Sequence, residues 1–507
     1  MDFSNITELW EGGERKDLKK LRFLDLRYSK LRKFDLGMTP HLEILDLRSC
    51  NDFVELHMPV NCSKLKYLNL NSSKLSNINL ATISNIEELY LENCNDFVEL
   101  HVPVECQKLK SLKLKYSKVG NLYLGMIPNI ETLDLGGCKN FVELHMPFVY
   151  SKLKFLILFQ SKIRSLNLGL IPNIETLDLG GYENFGELLM PIECPKLRFL
   201  KVTGSKIRSL NLGLIPNIEI LDLRGCEYLV ELHMPIECPK LKFFQVTRSK
   251  IRSVNLGLAP NLERLDLGGC YCLQEIHAPV GCLKKLIYLY LSGCSSIPEV
   301  PKDLWPLQNL TELSLLMREI KHLPDSICML KHLKSLELES CLLLEKLPDD
   351  LGRLQCLEKL HLMDCISLPG IPNSICNMKS LKRFRLTNCR QVEKLPVEIG
   401  SLECLEELDL ADCISLRDIP NNVCKLKSLV YLFLRFCIRV KKLPKELGRL
   451  KCLKELNIDG SGISRLPQSI YELKSLCIYG SRGQLESYGF TSLTMTSRYR
   501  ASYYVEL

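Results

Sequence analysis

SKLKYLNL (63–70), QKLKSLKL (107–114), SKLKFLIL (151–158) and PKLRFLKV (195–202) are four copies of one phrase, each 44 residues after the last. Each contains L-x-x-L-x-L, in which Ile, Val or Phe sometimes replaces Leu. Working outward from these copies, the pattern starts 21 times between Leu21 and Leu473. Up to Leu262 the spacing alternates between 21 and 23 residues; beyond it the spacing is 23 or 24, with a last interval of 20. The two Leu of L-x-L point to the same side of a short strand, and the first Leu closes the turn into it. One unit cannot bury three such side chains alone. Stacked units bury them against each other and form one continuous core.

This period and pattern resemble leucine-rich repeats. The expected fold is α/β, a right-handed leucine-rich repeat solenoid with a concave parallel β-sheet and about 21 coils. Residues 1–20 form an opening segment. Residues 21–285 repeat as 44-residue two-coil units, and 286–478 as 23/24-residue units. In the latter a Leu-Pro step (LPDDLGRLQCL at Leu347, LPVEIGSLECL at Leu395) predicts a turn or two of helix or 3₁₀, because Pro suits the first helical position. The former alternates LHMP and LNLG returns, which read as more extended. Residues 479–507 are a short tail, either β or disordered.

Composition excludes several classes. The 507 residues are 46% hydrophobic and 25% charged, which is globular. A net charge of 67 − 59 = +8 does not by itself imply nucleic acid. No apolar run approaches the roughly 20 residues that span a bilayer. The N-terminus has no apolar signal-peptide core. There is no phosphate-binding glycine loop, nucleophile elbow, kinase motif set or H-E-x-x-H. The reading is therefore non-enzymatic, with no cofactor, no metal, no nucleic-acid partner and no membrane span. The basic stretch RVKKLPKELGRLK from Arg439 reads as a solvated return face.

The 24 cysteines are decided by register. Eleven, from Cys50 to Cys437, share the ninth repeat position, where the other N-terminal coils carry Ser (Ser29 to Ser249). Both are small and carry one X–H donor, which suits an interior turn. These cysteines, with Cys62, Cys106, Cys194, Cys238, Cys282 and the set including Cys356, Cys404 and Cys452, read as buried free thiols. Consecutive thiols such as Cys365, Cys389, Cys413 and Cys437 would stack within roughly 5 Å, inside disulfide range, so a reducing cytosol or nucleus is expected. His57, His101, His145, His233 and His277 recur two coils apart, too far to share one zinc ion. Asp134, Asp178, Asp222 and Asp266 read as a solvated stripe with Lys201 as a cross-strand neighbour.

The copies differ where a partner would be met. Return segments barely change, while the outward strand positions change completely. They run Tyr67, Asn69, Asn71; Lys113, Lys115, Tyr116; Phe155, Ile157, Phe159; Phe199, Lys201, Thr203; and Phe243, Gln245, Arg248. Alternating coils mostly present a flat Asp-Leu-Gly-Gly. A rigid backbone with a variable, partly aromatic concave face describes a protein-binding surface, with Phe155, Phe159 and Phe199 as expected anchors.

The stretch NITELWEG (5–12) and the C-terminal L-x-L-x-x-C-x-x-L-x-x-LP-x-x-I pattern are similar to the leucine-rich repeat region of plant intracellular nucleotide-binding disease-resistance receptors, the Toll/interleukin-1-receptor type above all. The resemblance covers nearly the whole chain. It implies recognition of a pathogen effector or a guarded host protein, with a nucleotide-binding switch domain as a second partner. Signalling and nucleotide-binding domains have no counterpart in this sequence, so nucleotide binding, NAD cleavage and self-oligomerisation do not carry over. The alternatives are an intracellular plant scaffold of the Ras-group-like repeat type, using the Leu-Pro half, and a ubiquitin-ligase substrate receptor of F-box type, whose adaptor domain residues 1–20 cannot supply.

Overall fold

Each L-x-L forms a three- to five-residue strand whose Leu side chains turn inward, and each strand bonds to the strand of the next coil in register. A computed structural model describes residues 6–7, 18–59, 62–181, 184–279, 281–297, 307–491, 494–498 and 502–506. Most of the opening segment, with NITELWEG save Ile6 and Thr7, lies outside these described residues. The chain divides into two units, Met1–Phe243 and Phe244–Leu507.

In the N-terminal unit, strands Tyr67–Asn69, Glu88–Tyr90, Ser111–Lys113, Thr132–Asp134, Phe155–Ile157, Thr176–Asp178 and Phe199–Lys201 pair in parallel. The register aligns Leu68, Leu89, Leu112, Leu133, Leu156, Leu177 and Leu200. All seven leucines are wholly buried. The extended returns carry a second, two-stranded parallel ladder in each two-coil unit, such as Asn121–Tyr123 with Glu143–His145. Between them the LNLG phrase makes a 3₁₀ turn. The Asn167 and Asn211 carboxamides cap it by accepting the N–H of Gly169 and Gly213, both at 2.9 Å. Phe53, Phe97, Phe141 and Phe185, 44 residues apart, fill the core behind the ladders.

In the C-terminal unit, strands Ser335–Glu339, Lys359–Met363, Arg383–Arg385, Glu407–Asp409, Tyr431–Phe433, Glu455–Asn457 and Cys477–Ser481 continue the same parallel scheme. Its first returns keep the two-stranded ladder, Ser253–Asn255 with Glu275–His277, and the Leu-Pro returns take the 3₁₀ form, as in Asn373–Asn377 and Asn421–Lys425, which begin just after Pro372 and Pro420. The physical reason is spacing. Strands stack about 4.8 Å apart, whereas packed helices need axes about 8–10 Å apart. A thin return keeps step with the sheet; a Cβ on Gly352 would already strike the Ser374 carbonyl of the next coil. One α-helix, Arg482–Ser487, is present among the described residues. Strand Ser502–Glu506 pairs antiparallel with Cys477–Ser481 and with Thr496–Arg498. No helix among the described residues is long and apolar enough to cross a membrane.

The cysteines knit coil to coil. The eleven at the ninth position are wholly buried. Each Sγ–H donates to a backbone carbonyl of the preceding coil: Cys138 to Leu114 at 3.0 Å, Cys270 to Val246 at 2.8 Å, Cys413 to Leu386 at 3.1 Å and Cys437 to Leu410 at 3.0 Å. Ser Oγ meets Cys Sγ where the two alternate, as at Ser117 and Cys138, 3.3 Å apart. Burial pushes the Cys294 and Cys437 thiols up to about 12, so they stay protonated donors. All 24 cysteines are free thiols. Four depart from the buried reading: Cys282 is half-buried, and Cys356, Cys404 and Cys452 are exposed. The three exposed ones sit in the turn before the strand, each one residue ahead of a buried Leu (Leu357, Leu405, Leu453), on the outer side of that turn.

Replacing Cys413 by Val removes one of two donors to the Leu386 carbonyl, which keeps the Cys389 N–H at 3.1 Å. A loss of about 0.5–1.5 kcal/mol is expected for Cys413→Val in urea unfolding, and a smaller one for Cys413→Ser, which keeps a hydroxyl donor. Equal losses for the two variants would show that packing, not the hydrogen bond, sets the cost.

Candidate functional site: the outward strand faces

The coils turn at the eighth repeat position through a left-handed residue, except at Met317 and Gly480. Alternate coils use Gly there, such as Gly137 at φ +75° and Gly225 at φ +73°. The others do not: Tyr116 sits at φ 61°, Gln160 at 56°, Arg248 at 56° and Phe436 at 56°. Bulky residues in this region cost about 1–2 kcal/mol each, and such outliers gather where side chains have work to do.

In the N-terminal unit the glycines make room for the rings. A Cβ on Gly137 would collide with the Tyr116 ring, and one on Gly136 with the Phe159 ring. The two rings therefore lie across the intervening flat coil and meet edge to face, 6.1 Å between centroids. The Lys115 ammonium sits 5.2 Å from the Tyr116 ring and 5.4 Å from the Phe159 ring. Lys113 lies 5.1 Å from the ring of Tyr90, which itself meets Tyr67 edge to face at 5.4 Å. Cation–π contacts at such half-open sites hold a lysine for about 0.5–1 kcal/mol each. The Tyr90 hydroxyl donates to Glu88 at 2.6 Å. Burial, and then that carboxylate, push the phenol up to about 12.

The structure brings together Tyr67, Lys113, Lys115, Tyr116 and Phe159, and adds Tyr90. Sequence reasoning passed over Tyr90 because its coil was read as one of the flat ones; the signal was the L-Y-L at 89–91. Ile157 and Lys201 are half-buried on the two strands that flank Thr176–Asp178, and Lys201 reaches Asp178 at 3.3 Å. Asn71 and Thr203 are half-buried, and Arg248 is exposed. Phe199, Phe243 and Gln245 are half-buried, and Phe155 is 40% exposed. The three expected anchors do not form one patch. Phe159 sits at the far end of its strand from Phe155 and packs with Tyr116 instead.

Two expectations are corrected. Asn69 is buried, not displayed: its carboxamide accepts the Asn71 N–H at 3.1 Å and donates to the Tyr67 hydroxyl at 3.1 Å. Nor do the aspartates form a solvated stripe. Asp134 and Asp178 accept the N–H two residues on, from Gly136 and Gly180, both at 2.9 Å. Asp266 does so from Gly268 at 3.0 Å. Asp222, 5% exposed, is gripped by Arg224 at 2.8 Å. A short carboxylate at the strand end bends back to a spare backbone donor rather than extending into water.

In the C-terminal unit the outward face is a charge network. Arg385 donates to Glu407 at 2.7 Å, and Thr387 to Asp409 at 3.2 Å. His361 lies between strands bearing Glu337 and Arg385. Burial, then Arg385, lower its pKa, so it is held neutral. Arg264 covers the Tyr288 and Tyr290 rings at 5.3 and 5.4 Å. On the return side Pro369, Ile371, Glu393, Lys394 and Val397 line an open cleft of about 720 Å³. The exposed histidines of the N-terminal ladders pair with the Glu two residues before, as His101 with Glu99 at 3.1 Å and His233 with Glu231 at 3.2 Å.

Residues 240–388 match the family described as a leucine-rich repeat region. Among solved structures the chain is similar to YopM from Yersinia enterocolitica WA-314, at 16% identity and TM-score 0.58, covering 91% of this chain and 83% of that one. It is also similar to the plant peptide hormone receptor RGFR1, solved in complex with RGF2, at 19% identity and TM-score 0.54, covering 90% of this chain and 80% of that one. The fold is a leucine-rich repeat solenoid. No curated protein matches the sequence. Leucine-rich repeat solenoids are scaffolds typical of protein-binding modules.

Burial raises the Asp134 carboxyl above its ordinary value near 3.8, with the Gly136 N–H and Lys115 opposing. The folded state therefore holds that proton more tightly than the unfolded one. Asp134 favours folding below pH 3.8 and opposes it as pH rises through the raised value. Asp134→Asn is expected to raise the urea midpoint at neutral pH, the gain fading in acid. A gain that persists unchanged in acid contradicts the assignment.

Proposed function

We propose that the chain is the protein-recognition module of a plant immune receptor of the disease-resistance type. It binds a pathogen effector or a guarded host protein on its outward strand face and does no chemistry itself. The observation that carries this reading is the Tyr67–Tyr90–Lys113 and Lys115–Tyr116–Phe159 cluster. The Tyr116 and Phe159 rings lie over glycines, with Tyr116 kept in a costly backbone conformation, and Lys113 and Lys115 lie beside aromatic rings. Aromatic residues at such low conformational cost are what binding hot spots are made from. The NITELWEG stretch and the cysteine-bearing Leu-Pro repeats support the immune-receptor assignment. A nucleotide-binding switch domain is then the second partner, and the cytosol or nucleus the compartment.

The second reading is a signalling scaffold that uses the Leu-Pro repeats, favoured by the family match at 240–388, which falls largely in the C-terminal unit. Exchanging residues 21–285 between this chain and a homologous one separates the two, since each assigns partner choice to a different half.

A pull-down from host tissue challenged with pathogen tests the site. The variant Tyr116→Ala/Phe159→Ala is expected to lower partner capture by tenfold or more, since hot-spot truncations cost about 2 kcal/mol or more. Phe155→Ala/Phe199→Ala is expected to lower it less. Capture unchanged in both variants removes the aromatic-anchor claim.

A further inference from the structure

The chain's positive charge is not spread along it. Residues 425–454 hold ten Lys and Arg against the single acid Glu446, a net +9. The whole chain is +8, so the other 477 residues sum to −1. All ten cations are exposed. Three meet acids: Arg449 with Glu446 at 3.1 Å, Lys451 with Glu472 at 3.6 Å and Arg435 with Asp459 at 3.9 Å. The remaining seven are in no ion pair among the described residues. This excess costs self-repulsion that the three pairs relieve only in part.

The turn after strand Tyr431–Phe433 adds shape to the charge. Phe436, left-handed at φ 56°, is 38% exposed, and Ile438 is 50% exposed. The Phe436 ring lies where a Cβ on Gly460 would be, so one face rests on the next coil. The Arg435 guanidinium stacks 4.6 Å from the ring centroid. Arg435 approaches Asp459 only to 3.9 Å, beyond hydrogen-bond length, so its guanidinium donors can still take a carboxylate in two parallel bonds. Arg439, Lys441 and Lys442 follow within six residues.

We propose that this coil docks an acidic polypeptide segment that carries apolar side chains among its carboxylates. Arg435, Arg439 and Lys442 meet the carboxylates, and the edge of Phe436 with Ile438 meets an apolar side chain. A peptide is favoured over other polyanions by two observations. Phe436 is stacked on one side and seated on the other, so it offers no open ring face for a nucleobase. The cations also follow the chain around the coil, from Arg435 after the strand through Lys445 on the return to Lys454 before the next strand. A flat lipid surface reaches one side of such a belt; a flexible segment can follow it. This inference does not depend on the aromatic cluster of the N-terminal unit, and its failure leaves that reading standing.

The test is fluorescence anisotropy of the full chain with a labelled synthetic peptide alternating Glu and Leu. Binding is expected, and it weakens as salt rises from about 0.1 to about 1 M and the screening length falls from about 10 to about 3 Å. Arg435→Glu/Arg439→Glu/Lys442→Glu is expected to lower affinity at least tenfold. The Gln triple variant serves as the neutral version if the Glu variant loses its circular dichroism. Ile438→Ser is expected to weaken binding while leaving the salt slope unchanged, and Lys66→Glu in the N-terminal unit to change nothing. Three outcomes overturn the proposal: equal affinity in the triple variants, tighter binding of a uridine oligomer or of phosphatidylserine vesicles than of the peptide, or a charge-dependent dimer of the chain in sedimentation that excludes the peptide.

Discussion

The structure depends on coils lying about 4.8 Å apart, so that the backbone polar groups of one coil find partners in the next. Where the strand hydrogen bonds stop, a side chain must take over. Cys Sγ supplies that donor at the ninth position, and the Asn of the PNI phrase supplies it below the strand, as Asn129 does to the Gln107 carbonyl at 2.7 Å and Asn217 to Pro195 at 2.8 Å. The same spacing keeps the returns thin: short strands with 3₁₀ turns in the 44-residue units, and 3₁₀ turns in the Leu-Pro repeats. Leu in the core provides the drive to bury, while small polar donors keep neighbouring coils in register.

The inward half of this arrangement is legible in the sequence, because a side-chain period of two and a coil period of 21 to 24 leave one consistent register. The outward half is only partly legible. Alternation assigns Asn69, Lys113, Asp134 and Lys201 to the same face, and the backbone agrees. What each side chain then does depends on its length. Asn and Asp reach the N–H two residues ahead and fold down onto it. Lysines cannot close so tight a ring; they extend and settle over aromatic rings or against a neighbouring carboxylate. A strand of three residues makes this effect dominant, since its second outward position is also its last residue. The exposed Cys356, Cys404 and Cys452 teach the converse: composition favours burial of cysteine, but register overrides it.

The flat coils were the least legible element and are not inert. Gly136 and Gly137 carry no side chain of their own, yet they are the reason Tyr116 and Phe159 can lie down and meet across a coil. A Cβ at either position would lift a ring. The two-coil repeat thus separates tasks: one coil provides an even bed, and its neighbour provides the rings and cations that rest on it.

That division explains why duplication by pairs leaves room for change. If every coil bore a large outward side chain at the eighth position, each would have to adopt left-handed backbone at about 1–2 kcal/mol, and neighbouring rings would compete for one space. Alternating with Gly137, Gly181, Gly225 and Gly269 removes the strain from every second coil of that stretch and gives each remaining side chain two coil widths, roughly 10 Å, to itself. Tyr116, Gln160 and Arg248 occupy such positions in different chemical guises without altering the leucines beneath them. The core therefore tolerates exchange of the surface because the two are set by different repeat positions, linked only through a backbone that the cysteine and asparagine bonds hold fixed.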